Sequence, residues 1–148
     1  MLPPHDGSMF QFAICLKETG EFIGIGGCHK MTGELGWPVI GYMFRSEFWG
    51  QGFATEFVNC FLDAWWSLPR EETDLQVDRA TIDDREAPKI QNECLIAVTV
   101  EDNTSSQNVL RKCGLSLVKV WTEPDLRDPT REETLYGFAA TANLKPST

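Results

Sequence analysis

The chain has 148 residues, 42% of them apolar and 24% charged, with 13 basic against 22 acidic side chains and a net charge of −9. That length is one compact domain, and the composition is too apolar for a disordered chain. The negative balance argues against nucleic acid or an anionic membrane as partner, but not against a small phosphorylated ligand held by backbone N–H groups. In chain order, Phe10 to Leu16 and Glu21 to His29 read as strands joined by the turn Lys17-Glu18-Thr19-Gly20, a hairpin. A Gly- and Pro-containing link, Thr32 to Pro38, leads to a third strand, Val39 to Phe44, and then to a Gly-rich turn, Trp49 to Gly52. A helix follows from about Phe53 to Trp66. Ala54, Phe57, Val58, Phe61, Leu62 and Trp65 form its apolar stripe, Thr55, Asn59 and Asp63 its polar face, and Pro69 ends it.

Residues 70–92 are rich in charge and show no clear period. Within them, Arg70 to Glu86 reads as a solvated excursion or an acceptor-recognition insert, and there is room for one short element between Leu75 and Ile82. Leu95 to Val100 is a continuous apolar run suited to a strand buried on both faces. Asn103 to Cys113 suits a short helix, with Asn103 or a following Thr or Ser as cap and Gly114 just past its end. Leu115 to Trp121 is a strand, Glu123 to Glu132 a polar loop, Thr134 to Ala140 the last strand, and the end from Asn143 is expected to fray. The order implies an α/β chain around one central mixed sheet with flanking helices, a single domain over 1–148 with its core at 10–140.

No apolar run approaches the roughly 20 residues of a membrane span, and the first residues lack the basic start and apolar stretch of a signal peptide. The five cysteines, Cys15, Cys28, Cys60, Cys94 and Cys113, include no C-x-x-C pair. The expectation is small core residues, with no disulfide framework and no zinc or other metal site, in a reducing, cytoplasmic compartment.

Two segments can carry chemistry. In Phe48-Trp49-Gly50-Gln51-Gly52-Phe53-Ala54-Thr55-Glu56, a tight turn leads into a helix N-terminus, whose unpaired N–H donors and positive dipole end suit a pyrophosphate. An ordinary strand-to-helix turn explains the same residues. It is neither a Walker loop nor a dinucleotide fingerprint. Gly24-Ile25-Gly26-Gly27, inside a strand, reads as a bulge or close packing. In Glu101-Asp102-Asn103-Thr104-Ser105-Ser106, Asn103 and Ser106 share one side of a helix start, where plain capping also accounts for them. Two strand-to-helix junctions on adjacent strands open a cleft at the strand C-termini.

These residues resemble the GNAT superfamily of acyl-CoA-dependent N-acyltransferases, and look most like its Rim-type branch, which includes N-terminal acetyltransferases of ribosomal proteins. The family's pyrophosphate loop, (Arg/Gln)-x-x-Gly-x-(Gly/Ala), is similar to Trp49-Gly50-Gln51-Gly52-Phe53-Ala54, where the first position is Trp, as is common in that branch. Its Ile-Gly-Tyr strand is matched by Ile40-Gly41-Tyr42-Met43-Phe44, and the branch pattern of the second helix by Asn103, Ser106, Val109, Lys112, Gly114 and Leu115. The resemblance covers about Phe10 to Ala140. It implies a sheet splayed between the strands ending near Phe44 and Val100, with acetyl-CoA in the gap. On the same resemblance, the N–H near Met43 or Phe44 is expected to polarise the thioester carbonyl, Gly50 to Thr55 to hold the pyrophosphate, Asn103 to contact the pantetheine, and Ser106 to bond the departing thiolate.

The chain departs from the family in three places. The family has a strand and one or two helices before the segment starting here at Phe10, so a shortened chain, or a wall supplied by a partner, is expected. The Glu that many members carry before the Ile-Gly-Tyr strand is Val39 here. Substitute bases are Glu101, first because it ends the strand beside the cleft, then Glu34, His29, Glu47 or water. The Tyr used by many members as general acid falls at Leu110, leaving Ser106 or water. Tyr42, Tyr136 and Trp49 read as core or cleft wall.

The resulting expectation is acetyl transfer from acetyl-CoA to a primary amine, a protein N-terminus or a small molecule, by direct attack in a ternary complex. A homodimer is expected to cover the exposed sheet edge. The competing readings are a non-catalytic acyl-CoA-binding or dimerisation module and a mononucleotide-binding domain.

Overall fold

The computed structural model describes residues 10–71, 74–82 and 92–142. Its elements are β1 (Phe10–Cys15), β2 (Phe22–Lys30), β3 (Val39–Phe44), α1 (Phe53–Trp66), β4 (Cys94–Val100), α2 (Thr104–Lys112), β5 (Ser116–Pro124) and β6 (Glu132–Thr141). Short 3-10 turns lie at Ser46–Phe48 and Arg79–Thr81. The strands form one sheet in the order β1-β2-β3-β4-β6-β5. All neighbours are antiparallel except β3 and β4, whose parallel ladder consists of one pair, Val39 with Ile96. Beyond that pair β3 runs on to Phe44 and β4 to Val100 without pairing each other. The sheet is therefore splayed there, and the crossover that a parallel pair requires is made through α1.

Burial follows the sequence periods. Val58, Phe61, Leu62 and Trp65 of α1 are buried and join Cys28, Ile40, Leu95, Ala97, Leu110 and Phe138 in one core on the helical face of the sheet. Each Val, Leu, Ile or Phe among them contributes about 1.5–3 kcal/mol by leaving water. Gly26 belongs to this packing, since a Cβ there would lie 2.5 Å from the Phe57 ring. β4 is buried on both faces, because Cys94 and Ile96 enter a second core with Leu35, Trp37, Val39 and Ala139.

For residues 74–82, the second core corrects the reading of Arg70 to Glu86 as a solvated excursion. Val77 and Ile82 pack against it. The Trp37 indole donates to Thr81 Oγ1 at 2.7 Å, Asp78 N–H donates to the Leu35 carbonyl at 3.0 Å, and Lys119 pairs with Asp78. That hydrogen bond from Lys119, with one from Ala80 N–H, holds the Asp78 carboxyl below its ordinary value. Residues 74–82 thus cover the sheet face opposite the helices, while 72–73 and 83–91 lie outside the described residues, as do 1–9 and the end expected to fray, 143–148. The polar loop is also shorter than expected, since β5 reaches Pro124 and β6 starts at Glu132. Pro124 is tolerated because β5 is an edge strand.

α2 is held at both ends. Asn103 Oδ1 accepts from Ser106 N–H at 3.2 Å. Gly114, at φ +90°, lets its own N–H reach the Arg111 carbonyl and that of Leu115 reach Leu110, a Schellman ending. Gln107, 5% exposed, donates to the carbonyls of Val100 and Glu101 at 3.2 and 2.9 Å, tying the first turn of α2 to the end of β4. Gln107→Ala takes this donor from the Glu101 carbonyl, while Val100 keeps the Asn103 N–H at 3.0 Å, and a destabilisation of about 1–2 kcal/mol is expected in urea unfolding.

Candidate active site

The splay opens a cavity of about 520 Å³ between β3, α1 and the start of α2. Its walls carry Tyr42, Met43, Phe44, Phe48, Trp49, Gly50, Gly52, Phe53, Ala54, Thr55, Asn103, Ser105, Ser106, Val109 and Lys112. Of the residues singled out from sequence, Gln51 and Glu101 are missing from these walls. The Gln51 amide turns back to the Glu47 carbonyl at 3.1 Å. Glu101 is exposed just beyond β4, its backbone N–H bonded to the Thr134 carbonyl. The other candidate bases also lie elsewhere. Glu34 pairs with Lys30 and Glu47 with Arg45. His29 is exposed on β2, its pKa lowered by desolvation and then by Lys30.

One wall is built for an anion. Gly50 and Gly52 stand at φ +72° and +83°, a left-handed conformation that glycine adopts without penalty. A Cβ at either would meet nothing within 4 Å, so the backbone there is open to a ligand. Gly52 caps α1 without a side-chain hydrogen bond. The N–H groups of Phe53, Ala54 and Thr55 precede the first intrahelical bond, Glu56 N–H to Gly52 O, and are the orphan donors of a helix start. Although the chain is acidic overall, these walls carry no carboxylate among the described residues, and Lys112 is their one cation.

The β3 wall offers a further donor. Arg45 N–H bonds to Ile23 of β2 and Met43 pairs with Ile25. The alternation of ladder bonds then turns the Phe44 N–H toward the gap beside β4. Of the two positions expected to meet a carbonyl, Phe44 has the available donor. The Trp49 indole donates to the Phe44 carbonyl at 2.8 Å, which fixes the ring at the mouth of the gap. Across the gap, the hydroxyls of Tyr42 and Ser106 lie 2.7 Å apart. Tyr42 was expected only as wall, and this bond joins residues too far apart in sequence for a local motif to reveal. Cys113 Sγ donates to the Thr55 carbonyl at 3.6 Å, linking the end of α2 to the first turn of α1.

A parallel strand pair that separates above a glycine-rich helix start, with donors on both sides, fits the pyrophosphate and thioester of an acyl-CoA. The chain matches the acetyltransferase (GNAT) domain over residues 3–116. It belongs to the GNAT acetyltransferase family. It is 40% identical over 58 residues to the uncharacterized N-acetyltransferase p20 of Bacillus licheniformis, a stretch that is 39% of this chain and 33% of that protein. Among solved structures, a GNAT-family acetyltransferase from Bacillus anthracis superposes with a TM-score of 0.62 at 18% identity, over 88% of this chain and 65% of that one. The ribosomal-protein-S5-alanine acetyltransferase of Vibrio fischeri gives 0.64 at 18%, over 94% and 65%. A mutant spermidine N-acetyltransferase SpeG from Vibrio cholerae gives 0.67 at 13%, over 93% and 68%. The GNAT chain therefore spans about two thirds of these solved chains. At these identities they share its fold, the mixed α/β sheet expected from sequence.

Among the described residues of this GNAT chain, no helix is long and apolar enough to cross a membrane, and no group of His, Cys, Asp and Glu is arranged to hold a metal ion.

Proposed function

We propose that this chain transfers an acetyl group from acetyl-CoA to a primary amine, a small molecule or a protein N-terminus, by direct attack in a ternary complex. The observation that carries the reading is the glycine-rich start of α1, with its orphan N–H donors, facing a cleft whose described residues include no carboxylate, in an acidic chain. Bound there, acetyl-CoA supplies an acyl group activated as a thioester. Gly50 to Thr55, with Trp49 at the mouth, hold the pyrophosphate. Phe44 N–H stabilises the negative charge that develops on the acyl oxygen. Asn103 keeps its amide N–H donors for the pantetheine, because its Oδ1 is committed to the cap. Ser106 hydrogen-bonds the leaving sulfur. The proton from the amine passes to water, with the exposed carboxylate of Glu101 as its acceptor beyond β4.

Direct attack is favoured over an acyl-cysteine. Burial raises the thiol pKa of Cys28 and Cys113, and pushes Cys94 up to about 11. Cys113, the thiol nearest in sequence to the lining residue Lys112, is engaged with the Thr55 carbonyl. A thiol that resists ionisation is a poor nucleophile.

The lack of a carboxylate or imidazole among the described residues of the cleft walls favours one alternative, a non-catalytic acyl-CoA-binding or dimerisation module. Calorimetric titration with acetyl-CoA, followed by a panel of primary amines, separates the readings. Binding with sequential steady-state kinetics supports the transferase. Binding without turnover on any amine supports the module, and a trapped acyl-cysteine overturns direct attack. We also propose a homodimer in a cytoplasmic setting. Among the described residues β1 has a sheet neighbour on one side only, and Phe12 on it is 43% exposed, so a second copy can cover that edge. Sedimentation as a monomer at micromolar concentration would remove the dimer.

A further inference from the structure

A serine in the first turn of a helix ordinarily turns its hydroxyl back onto nearby backbone. Ser106 instead reaches out of α2 to Tyr42 on β3, with the oxygens 2.7 Å apart. Both side chains line the cleft. The Tyr42 ring is held in place, its centroid 6.2 Å from that of Phe44 and 6.5 Å from that of Phe57, so its hydroxyl has a fixed address. A phenol is a stronger acid than an aliphatic alcohol, so Tyr42 is the favoured donor of the pair. Its O–H then occupies a lone pair of Ser106 and leaves the serine proton to point elsewhere, polarised by the bond behind it.

We infer that Tyr42 is a positioning residue, which by donating to Ser106 aims that hydroxyl at the sulfur of a bound acyl-CoA and strengthens its hydrogen bond to the departing thiolate. The inference rests on the acetyl-CoA reading above. As the amine adds, the C–N bond forms and the C–S bond breaks. The electron pair of the broken bond stays on sulfur, and the amine proton goes to water. The thiolate, held by the Ser106 O–H, takes its proton from solvent. Neither hydroxyl needs to ionise. Desolvation raises the Tyr42 pKa above its ordinary value, partly offset by the bond to Ser106, so the phenol keeps its proton while an ordinary thiol, with a pKa of about 8.5, ionises. Among the described residues, Cys113 is the titratable group that acts on the Tyr42 hydroxyl, and Lys112 lies on the same cleft walls. The lining residues from β3 and α1 bring none besides Tyr42. Burial raises the Cys113 pKa, so Lys112 is the one charge on the described walls.

The test is calorimetric binding of CoA and of acetyl-CoA at pH 6.5 and 9.0, with the parent protein, Tyr42→Phe, Ser106→Ala and the double variant. Only CoA carries a thiol, so the ratio of the two affinities isolates the sulfur, and the steady attraction of Lys112 for the phosphates cancels. In the parent, CoA should gain about 10-fold over acetyl-CoA as its thiol ionises. Tyr42→Phe keeps the ring and should cut that gain to about 2-fold, any common change in affinity for the two ligands cancelling in the ratio. The double variant should behave as Ser106→Ala alone, because the phenol acts through the serine. A full gain in Tyr42→Phe, equal weakening of both ligands, or independent effects of the two substitutions would overturn the inference while leaving the cofactor reading intact. Failure of acetyl-CoA to bind the parent at either pH would overturn the cofactor reading, and the inference with it.

Discussion

Ala54→Glu is expected to leave the protein folded and to weaken acetyl-CoA binding at least 100-fold. Ala54 is the second residue of α1 and lines the cleft. Its backbone is already helical, and glutamate is a good helix former that complements the positive end of the helix dipole. Folding therefore loses nothing. The new carboxylate competes for the N–H donors of the first turn and repels a pyrophosphate there. A loss of two such charge-assisted hydrogen bonds is about 3 kcal/mol or more, which is the 100-fold. Calorimetry with acetyl-CoA reads the affinity, and circular dichroism reads the fold. Undiminished binding in the folded variant would move the phosphates away from α1.

Gly27→Ala is expected to destabilise the protein by about 3 kcal/mol or more. Gly27 adopts φ +140°, and an added Cβ would stand 2.1 Å from the Phe10 carbonyl oxygen and 2.7 Å from Gln11 Cα. Those are backbone atoms of β1, so no side-chain rotation relieves the clash, and β1 must separate from β2 at that point. Gly50→Ala is the control. Its φ is also positive, but nothing lies within 4 Å, so the left-handed strain of about 1–2 kcal/mol is the whole cost. Urea midpoints of the two variants, compared at unchanged slope, measure the difference. Equal losses would mean that close packing against β1 contributes nothing.

The elements with a clear local period were legible from sequence alone. The apolar stripe and the glycine before it delimit α1 at Phe53 and Trp66, and the paired junctions before α1 and α2 both border the cleft. What escaped was non-local. Val77 and Ile82 are five positions apart, which fits neither a strand nor a helix, so nothing marked residues 74–82 as a cover. Their docking depends on Gly36, at φ +86°, where a Cβ would lie 2.1 Å from the Gln76 carbonyl oxygen. Gln107 looks like a surface residue of a polar helix until the carbonyls at the end of β4 are seen to need it. Glu101 was favoured because it ends a strand, but the direction of a side chain just past a strand end follows from the local backbone, which sequence does not reveal. The Tyr42–Ser106 bond requires β3 and α2 to meet, a fact of topology.

The single pair joining β3 to β4 bears on how the chain folds. β1, β2 and β3 come from one continuous stretch, Phe10 to Phe44, and β4, β5 and β6 from another, Cys94 to Thr141. Within each half every ladder is antiparallel, while between the halves the ladder is Val39 with Ile96. The β1-β2-β3 meander closes short loops at little entropic cost, whereas β4 reaches β6 across α2 and β5. The union of the two halves, through α1 and that one corner, spans a longer stretch of chain still, from Val39 to Ile96. The cleft is the seam of this union, so its walls meet only when the two halves dock, and binding in it doubles as a report that assembly is complete.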